Sequence, residues 1–186
     1  MVCFLDSNSE YVEDAFVNRM AACMSGDSSD TPKIIHTELF FPDESKNSIH
    51  RNELVGLSCS IHYQGQVFLE PKRFSKANWK FRTLSVTNEQ YQQCYQFCQN
   101  AVGCGFNYPG YYLYFLPSKI RPSSNFLTSN PKYYCSELTA SALKHAGILD
   151  DGQDVKIHPH ELYNILKDKS MIDCARKWSP QKIRWG

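Results

Sequence analysis

The chain has 186 residues, 42% of them hydrophobic and 21% charged, with a net charge of +1; this suffices for one packed domain and leaves no electrostatic footprint for nucleic acid. No stretch approaches the roughly 20 apolar residues needed to span a bilayer, the longest being the strand-length run Tyr111 to Leu116. The start, MVCFLDSNSEYVED, has no basic segment ahead of an apolar one, so no secretory leader is expected. The eight cysteines are then expected as free thiols of a cytoplasmic protein.

In chain order, Tyr11, Val12, Ala15, Phe16, Met20 and Cys23 recur at helical spacing and predict a helix over 8–24, broken by the turn-rich run 25–32. KIIHTELFF at 33–41 reads as a strand closed by Pro42-Asp43, and 43–53 as a polar loop. Residues 54–63, 66–70 and 79–86 read as three further strands, with a turn at Gln64-Gly65. Lys72 and Arg73, with Lys76 and Lys80 nearby, read as a solvated basic face. Thr87 or Asn88 caps a helix whose apolar stripe is Tyr91, Cys94, Tyr95, Cys98 and Val102, and Gly103 and Gly105 stop it. An aromatic segment over 106–116 contains Pro109-Gly110, and 117–132 is a loop. Cys135–His145 predicts a helix with Leu138, Ala142, Leu143 and Ala146 inward, ended by Gly147; a last helix covers 159–169, followed by a basic tail with Trp178 and Trp185. Strands and helices are segregated along the chain, which predicts an α+β fold.

Eight cysteines differ in setting. Cys94 and Cys98 fall on a helix stripe and Cys59 lies mid-strand between Ser58 and Ser60, which are packing positions. Cys3, Cys23, Cys104 and Cys174 have no evident chemical setting. Cys135 follows an extended segment, Asn130-Pro131-Lys132-Tyr133-Tyr134, and opens a helix, where the positive end of the macrodipole favours a thiolate. Thiolate is the nucleophilic form, and it needs a base. Among six histidines, His36 lies inside an apolar strand. Side chains alternate along a strand, so His36 and Glu38 share one face while Ile35, Thr37 and Leu39 share the other. A carboxylate on the face of a histidine can orient the imidazole. His62 is the second candidate for that orienting role, because its strand could lie beside that of His36.

With these residues in place, the sequence resembles the permuted NlpC-like branch of the papain-like superfamily. That branch holds bacterial cell-wall-peptide hydrolases of YiiX/YaeF type, related proteins of poxviruses and other large DNA viruses, and lecithin:retinol-acyltransferase relatives. The resemblance rests on IIHTELFF, GFNYPGYYLYF, YYCSELTASAL and HPHELYNIL, in that order over about residues 33–167, with the histidine strand ahead of the cysteine helix. It implies a single permuted papain-like domain over 1–186, an antiparallel sheet packed against a Cys-bearing helix. It further implies Cys135 as nucleophile, His36 as base, Glu38 as polar partner, and Tyr133, Tyr134, Asn107 and Tyr108 at the substrate groove.

The function expected from the resemblance is a thiol hydrolase of amide bonds, in a host cytoplasm if the chain is viral. A lipid-directed acyltransferase or phospholipase on the same fold, and a catalytically silent binding module, are the alternatives. Substrates expected are peptides, amides or lipid esters, and the C-terminal tail could dock a protein partner. No cofactor and no metal are expected: Cys94-x₃-Cys98-x₅-Cys104 has no second pair at matching spacing, and His158-Pro159-His160 is a poor ligand pair.

Overall fold

Period-two alternation builds β1 (Val2–Asp6), β2 (Ile34–Pro42), β3 (Glu53–Ile61), β4 (Val67–Ser75) and β5 (Trp79–Arg82), which join in one sheet of order β4-β3-β2-β1-β5 with every pair antiparallel. The computed structural model describes residues 1–6, 34–43, 45, 53–62, 65–77, 79–113 and 131–168. The expected helix over 8–24, the turn 25–32, most of the 43–53 and 117–132 loops, and the C-terminal tail lie outside the described residues. Four helices, α1 (Asn88–Ala101), α2 (Tyr108–Tyr112), α3 (Cys135–His145) and α4 (Pro159–Asp168), and a parallel pair of short strands, β6 (Gly105–Phe106) and β7 (Lys132–Tyr133), complete the described elements. The fold is thus α+β, with an antiparallel sheet and α3 packed on it. None of the described helices is long and apolar enough to cross a membrane.

Two differences from the sequence expectations matter for the site. Val2–Asp6, to which the sequence reading assigns no element, is a strand in the interior of the sheet, between β2 and β5. The third expected strand does not stop at Glu70: β4 runs on through Pro71 to Ser75. Proline removes a ladder donor and is tolerated on an edge strand, and β4 is the edge. In the other direction, the strand expected over 79–86 ends at Arg82.

The two faces of the sheet are used differently. Along β1, Val2 and Phe4 join the large core under the helices, while Cys3 between them joins a smaller cluster on the opposite face with Phe40 and Phe74. Along β2, Leu39 and Phe41 point to the helices and Phe40 away. Helix α1 begins with a capping box, Thr87 Oγ1 accepting from the Gln90 backbone and the Gln90 side chain accepting from Thr87 N–H. Its Cys94, Cys98 and Ala101 are buried, and Tyr91 and Tyr95 pack edge-on against Phe41 at 5.5 and 5.2 Å. In α3 the residues Cys135 through Ala140 are all buried, several of them small (Ser136, Thr139, Ala140), so the helix backbone lies close to the sheet. The Ser136 hydroxyl donates to the Ile157 carbonyl at 2.6 Å, tying α3 to the segment that leads into α4. Gly103 (φ 85°) and Gly147 (φ 63°) end α1 and α3 in the left-handed region that favours glycine.

The ladder between β2 and β3 covers Leu39↔Cys59 to Pro42↔Gly56. From Glu38 back to Ile34, β2 keeps its pairing with β1, and there the register slips: Leu5 faces His36 and Asp6 faces Ile34, leaving Ile35 as an extra residue. Bulges of this kind re-aim side chains next to functional sites. On the β3 side, the Ser60 hydroxyl donates to the Thr37 carbonyl at 2.9 Å beyond the end of the ladder. The sheet therefore parts at the His36 end of β2, and the site lies at this opening.

Candidate active site

Cys135 is the first residue of α3, after Tyr134 at the N-cap in extended conformation (φ −108°, ψ 169°). The sequence dictates this placement: Pro131 and the extended 132–134 segment cannot continue a helix, whereas CSELTASALKH can. Cys135 lies in the helix-side core, and its side chain reaches the His36 imidazole at the opening between β2 and β3. On the other side of the ring, His36 Nε2 is 3.3 Å from Glu38 Oε1. The shared face expected from the His-x-Glu spacing is what the strand provides.

Glu38 is fully buried. Its Oε1 also accepts from Lys72 Nζ at 2.5 Å, and its Oε2 accepts from the Ser58 hydroxyl at 2.6 Å. Burial by itself works against the carboxylate, but the hydrogen bond and charge of His36, and then those of Lys72, hold Glu38 at about 2. Burial likewise works against the imidazolium of His36. The charge and hydrogen bond of Cys135, followed by those of Glu38, outweigh it and hold His36 up at about 10.

The hydrogen-bond pattern also fixes the tautomer. Ser60 Oγ lies 3.4 Å from His36 Nε2, but its one hydroxyl proton goes to the Thr37 carbonyl. Toward the imidazole Ser60 is left as an acceptor, as is Glu38, so Nε2 carries a proton. That leaves Nδ1 as the ring nitrogen available to the thiol.

The second candidate for the orienting role, His62, stands elsewhere. Its ring stacks on the His36 ring at 5.8 Å with 15° between planes, and on Phe68 at 4.9 Å. It covers the face of the imidazole and offers no acceptor to Nε2. Partial burial and the charge of His36 push His62 below its ordinary value. Trp79 meets His36 edge-on at 6.3 Å.

The four residues expected at a groove have different surroundings. Asn107 is fully buried: its Oδ1 accepts from Gly110 N–H at 3.0 Å and caps α2, its Nδ2 donates to Glu137 Oε2 at 2.9 Å, and its own N–H donates to the Tyr133 carbonyl at 2.9 Å. A Cβ at Gly110 would overlap the Asn107 amide, which is why the Pro109-Gly110 pair ends in glycine. Tyr133 is buried edge-on against Phe97 at 6.1 Å, and Tyr134 is buried with its ring 6.3 Å from that of Tyr111. Tyr108 is exposed, tilted on Phe106 at 5.1 Å. Asn107 thus ties α2 to α3, while the Tyr133 ring packs on α1. Glu137 also accepts from the Tyr134 backbone, and burial raises its carboxyl to about 7 against these hydrogen bonds.

The sequence reading missed Lys72, Ser58 and Ser60. The serines carried a signal, since two hydroxyls two apart on a strand share a face. The sequence alone places Lys72 on a solvated basic face with Arg73. In the structure β4 sends Lys72 inward to Glu38 and Arg73 outward, where it is 72% exposed and lies 3.8 Å from Glu53. The other described thiols sit in packing environments. Burial pushes Cys94 up to about 11 with its Sγ donating to the Ala142 carbonyl, and Cys98 is raised by a hydrogen bond with Cys59 and by burial. No protein-family model matches the chain, and comparison with curated proteins and with solved structures gives no match.

Proposed function

We propose that the chain is a thiol hydrolase of the permuted papain-like, NlpC-like type, cleaving amide bonds through a thioester on Cys135. The observation that carries this reading is the His36 imidazole held between the Cys135 thiol at the start of α3 and the buried Glu38 carboxylate. A nucleophile, a base and an orienting acceptor, in hydrogen-bonded sequence, are the parts that acyl transfer needs. The order of the elements, histidine strand before cysteine helix, is that of the permuted branch.

In the first half-reaction the Cys135 thiolate attacks the carbonyl carbon. The oxyanion is stabilised by the Cys135 backbone N–H, one of the first-turn donors with no intrahelical acceptor. His36 Nδ1–H then protonates the leaving nitrogen, the C–N bond breaks and a thioester remains. In the second, neutral His36 takes a proton from water through Nδ1, hydroxide adds to the thioester, and collapse returns the acid and the thiolate. An amine leaves readily only when protonated, and the His36 imidazolium is the acid placed beside the nucleophile.

The test is trapping of the acyl-enzyme. The full chain is incubated with peptide amides and with peptide and lipid esters, quenched in acid, and the Cys135 peptide is weighed. A peptide acyl mass on Cys135, absent after His36→Ala, is the expected result. Acylation by lipid esters alone would move the substrate to the lipid-directed class. No acyl mass on Cys135 from any donor would contradict the hydrolase reading.

A further inference from the structure

Glu38 is a buried carboxylate with two cationic neighbours on one oxygen, His36 at 3.3 Å and Lys72 at 2.5 Å. The two differ in a way that matters for the chemistry. His36 is charged before it gives its proton away and neutral after, whereas Lys72 takes no part in the proton transfer. A carboxylate buried opposite a neutral imidazole, with no other cation, is under strong pressure to take up a proton. Protonated, it would donate rather than accept, and the control of the His36 tautomer would be lost.

Lys72 is built into place. On β4 it stands opposite Gly56 of β3 and reaches diagonally over that strand to Glu38 on β2, whose other carboxylate oxygen accepts from the Ser58 hydroxyl. Its ammonium lies 5.0 Å from the Phe74 ring centroid, 5.3 Å from Trp79 and 6.0 Å from Phe68, so three aromatic faces hold the cation. Its side chain is 30% exposed. The titratable groups facing Glu38 are His36 on its own strand, Cys3 of β1 across the ladder and Lys72 of β4, with His62 and Glu70 further along the same face.

We infer that Lys72 is a positioning residue of this site: its charge keeps Glu38 ionised and aimed at Nε2 of His36 while the charge on His36 comes and goes. The inference rests on the thiol–imidazole reading of Cys135 and His36. Lys72 touches neither substrate nor the reacting atoms; it acts through Glu38. Ser58 holds the second oxygen in the same orientation.

The test is the pH profile of iodoacetamide labelling of Cys135, read on its peptide by mass spectrometry, in the full chain and in Lys72→Met, Lys72→Arg and His36→Ala. Methionine keeps an unbranched stem among Phe68, Phe74 and Trp79 and removes only the charge and the donor. Without Lys72, protonation of Glu38 begins at higher pH and withdraws support from the imidazolium. The acid limb of Cys135 labelling is therefore expected to move up by about one pH unit, about ten-fold slower labelling on that limb. Lys72→Arg is expected to return most of the shift. A Lys72→Met profile that superimposes on the parent's overturns the inference, as does an arginine variant displaced as far as the methionine one. His36→Ala separates the two claims: if it leaves Cys135 labelling unchanged, the thiol–imidazole reading fails. If His36→Ala changes the profile and the Lys72 variants do not, only the role of Lys72 falls. Circular dichroism checks folding, with Lys72→Gln in place of methionine if needed. If neither folds while arginine does, Lys72 belongs to stability and the inference is wrong.

Discussion

His36→Ala is expected to slow alkylation of Cys135 by iodoacetamide at about pH 5.5 on the order of 100-fold. An ordinary thiol, titrating near about 8.5, is thiolate in roughly one molecule per thousand at that pH. An imidazolium beside a thiol favours the thiolate, and the thiolate is what reacts. Lower basicity takes back about one order of magnitude in nucleophilicity, which leaves about two. The pairing is legible from the histidine: the charge and hydrogen bond of Cys135 are the foremost causes that raise His36 against its burial. Cys94 and Cys98 serve as internal controls in the same digest, because both are buried and raised and neither meets a histidine in the described interactions. Equal labelling of Cys135 in the parent and in His36→Ala would remove the base from the account.

Glu38→Ala is expected to cost about 3 kcal/mol of unfolding free energy at neutral pH, measured by urea denaturation. The substitution strips the carboxylate from two partly buried cations, Lys72 and His36, and leaves the Ser58 hydroxyl without its acceptor. The acid dependence has a defined sign. Glu38 is held at about 2 against an ordinary value of 4.5, so its contribution is fully present above pH 4.5 and is lost as the pH falls toward 2. That depression corresponds to about 3 kcal/mol, the order of the loss expected from removing the charge. In Glu38→Gln the part of the acid destabilisation that falls in this window should be missing. Parent-like stability of Glu38→Ala at neutral pH, or the same acid profile in Glu38→Gln, would show that the carboxylate is not engaged as described.

What was legible in the sequence was mostly what local chemistry dictates. The helix start at Thr87, one of the two caps expected there, the glycine stops at Gly103 and Gly147, and the helix opening at Cys135 all follow from residues within one turn of each other. The shared face of His36 and Glu38 follows from strand parity, which needs no partner strand. What was not legible depends on pairing across the chain. Val2–Asp6 becomes an interior strand only because β2 and β5 flank it. Lys72 was lost to the sequence because Pro71 reads as a strand stop, and only the edge position of β4 makes that proline acceptable. The choice between Glu38 and His62 as partner of Nε2 was open for a similar reason: the β2–β3 ladder ends at Leu39↔Cys59, so the approach of His62 is a ring stack and not a hydrogen bond. Asn107 carries a polar amide in an aromatic segment, which suggests a groove. Its use as a cap for α2 and a partner for Glu137 appears only when α3 is folded beside it.

The central claim is the charged pair of Cys135 and His36, and titration of the His36 ring resonances by nuclear magnetic resonance tests it most directly. In the parent the imidazolium is expected to persist to about pH 10, and in Cys135→Ala, where the charge and hydrogen bond of the thiol are gone, its midpoint should fall substantially. A His36 that titrates near the ordinary value of 6.5, with the same midpoint in the parent and in Cys135→Ala, would contradict the account.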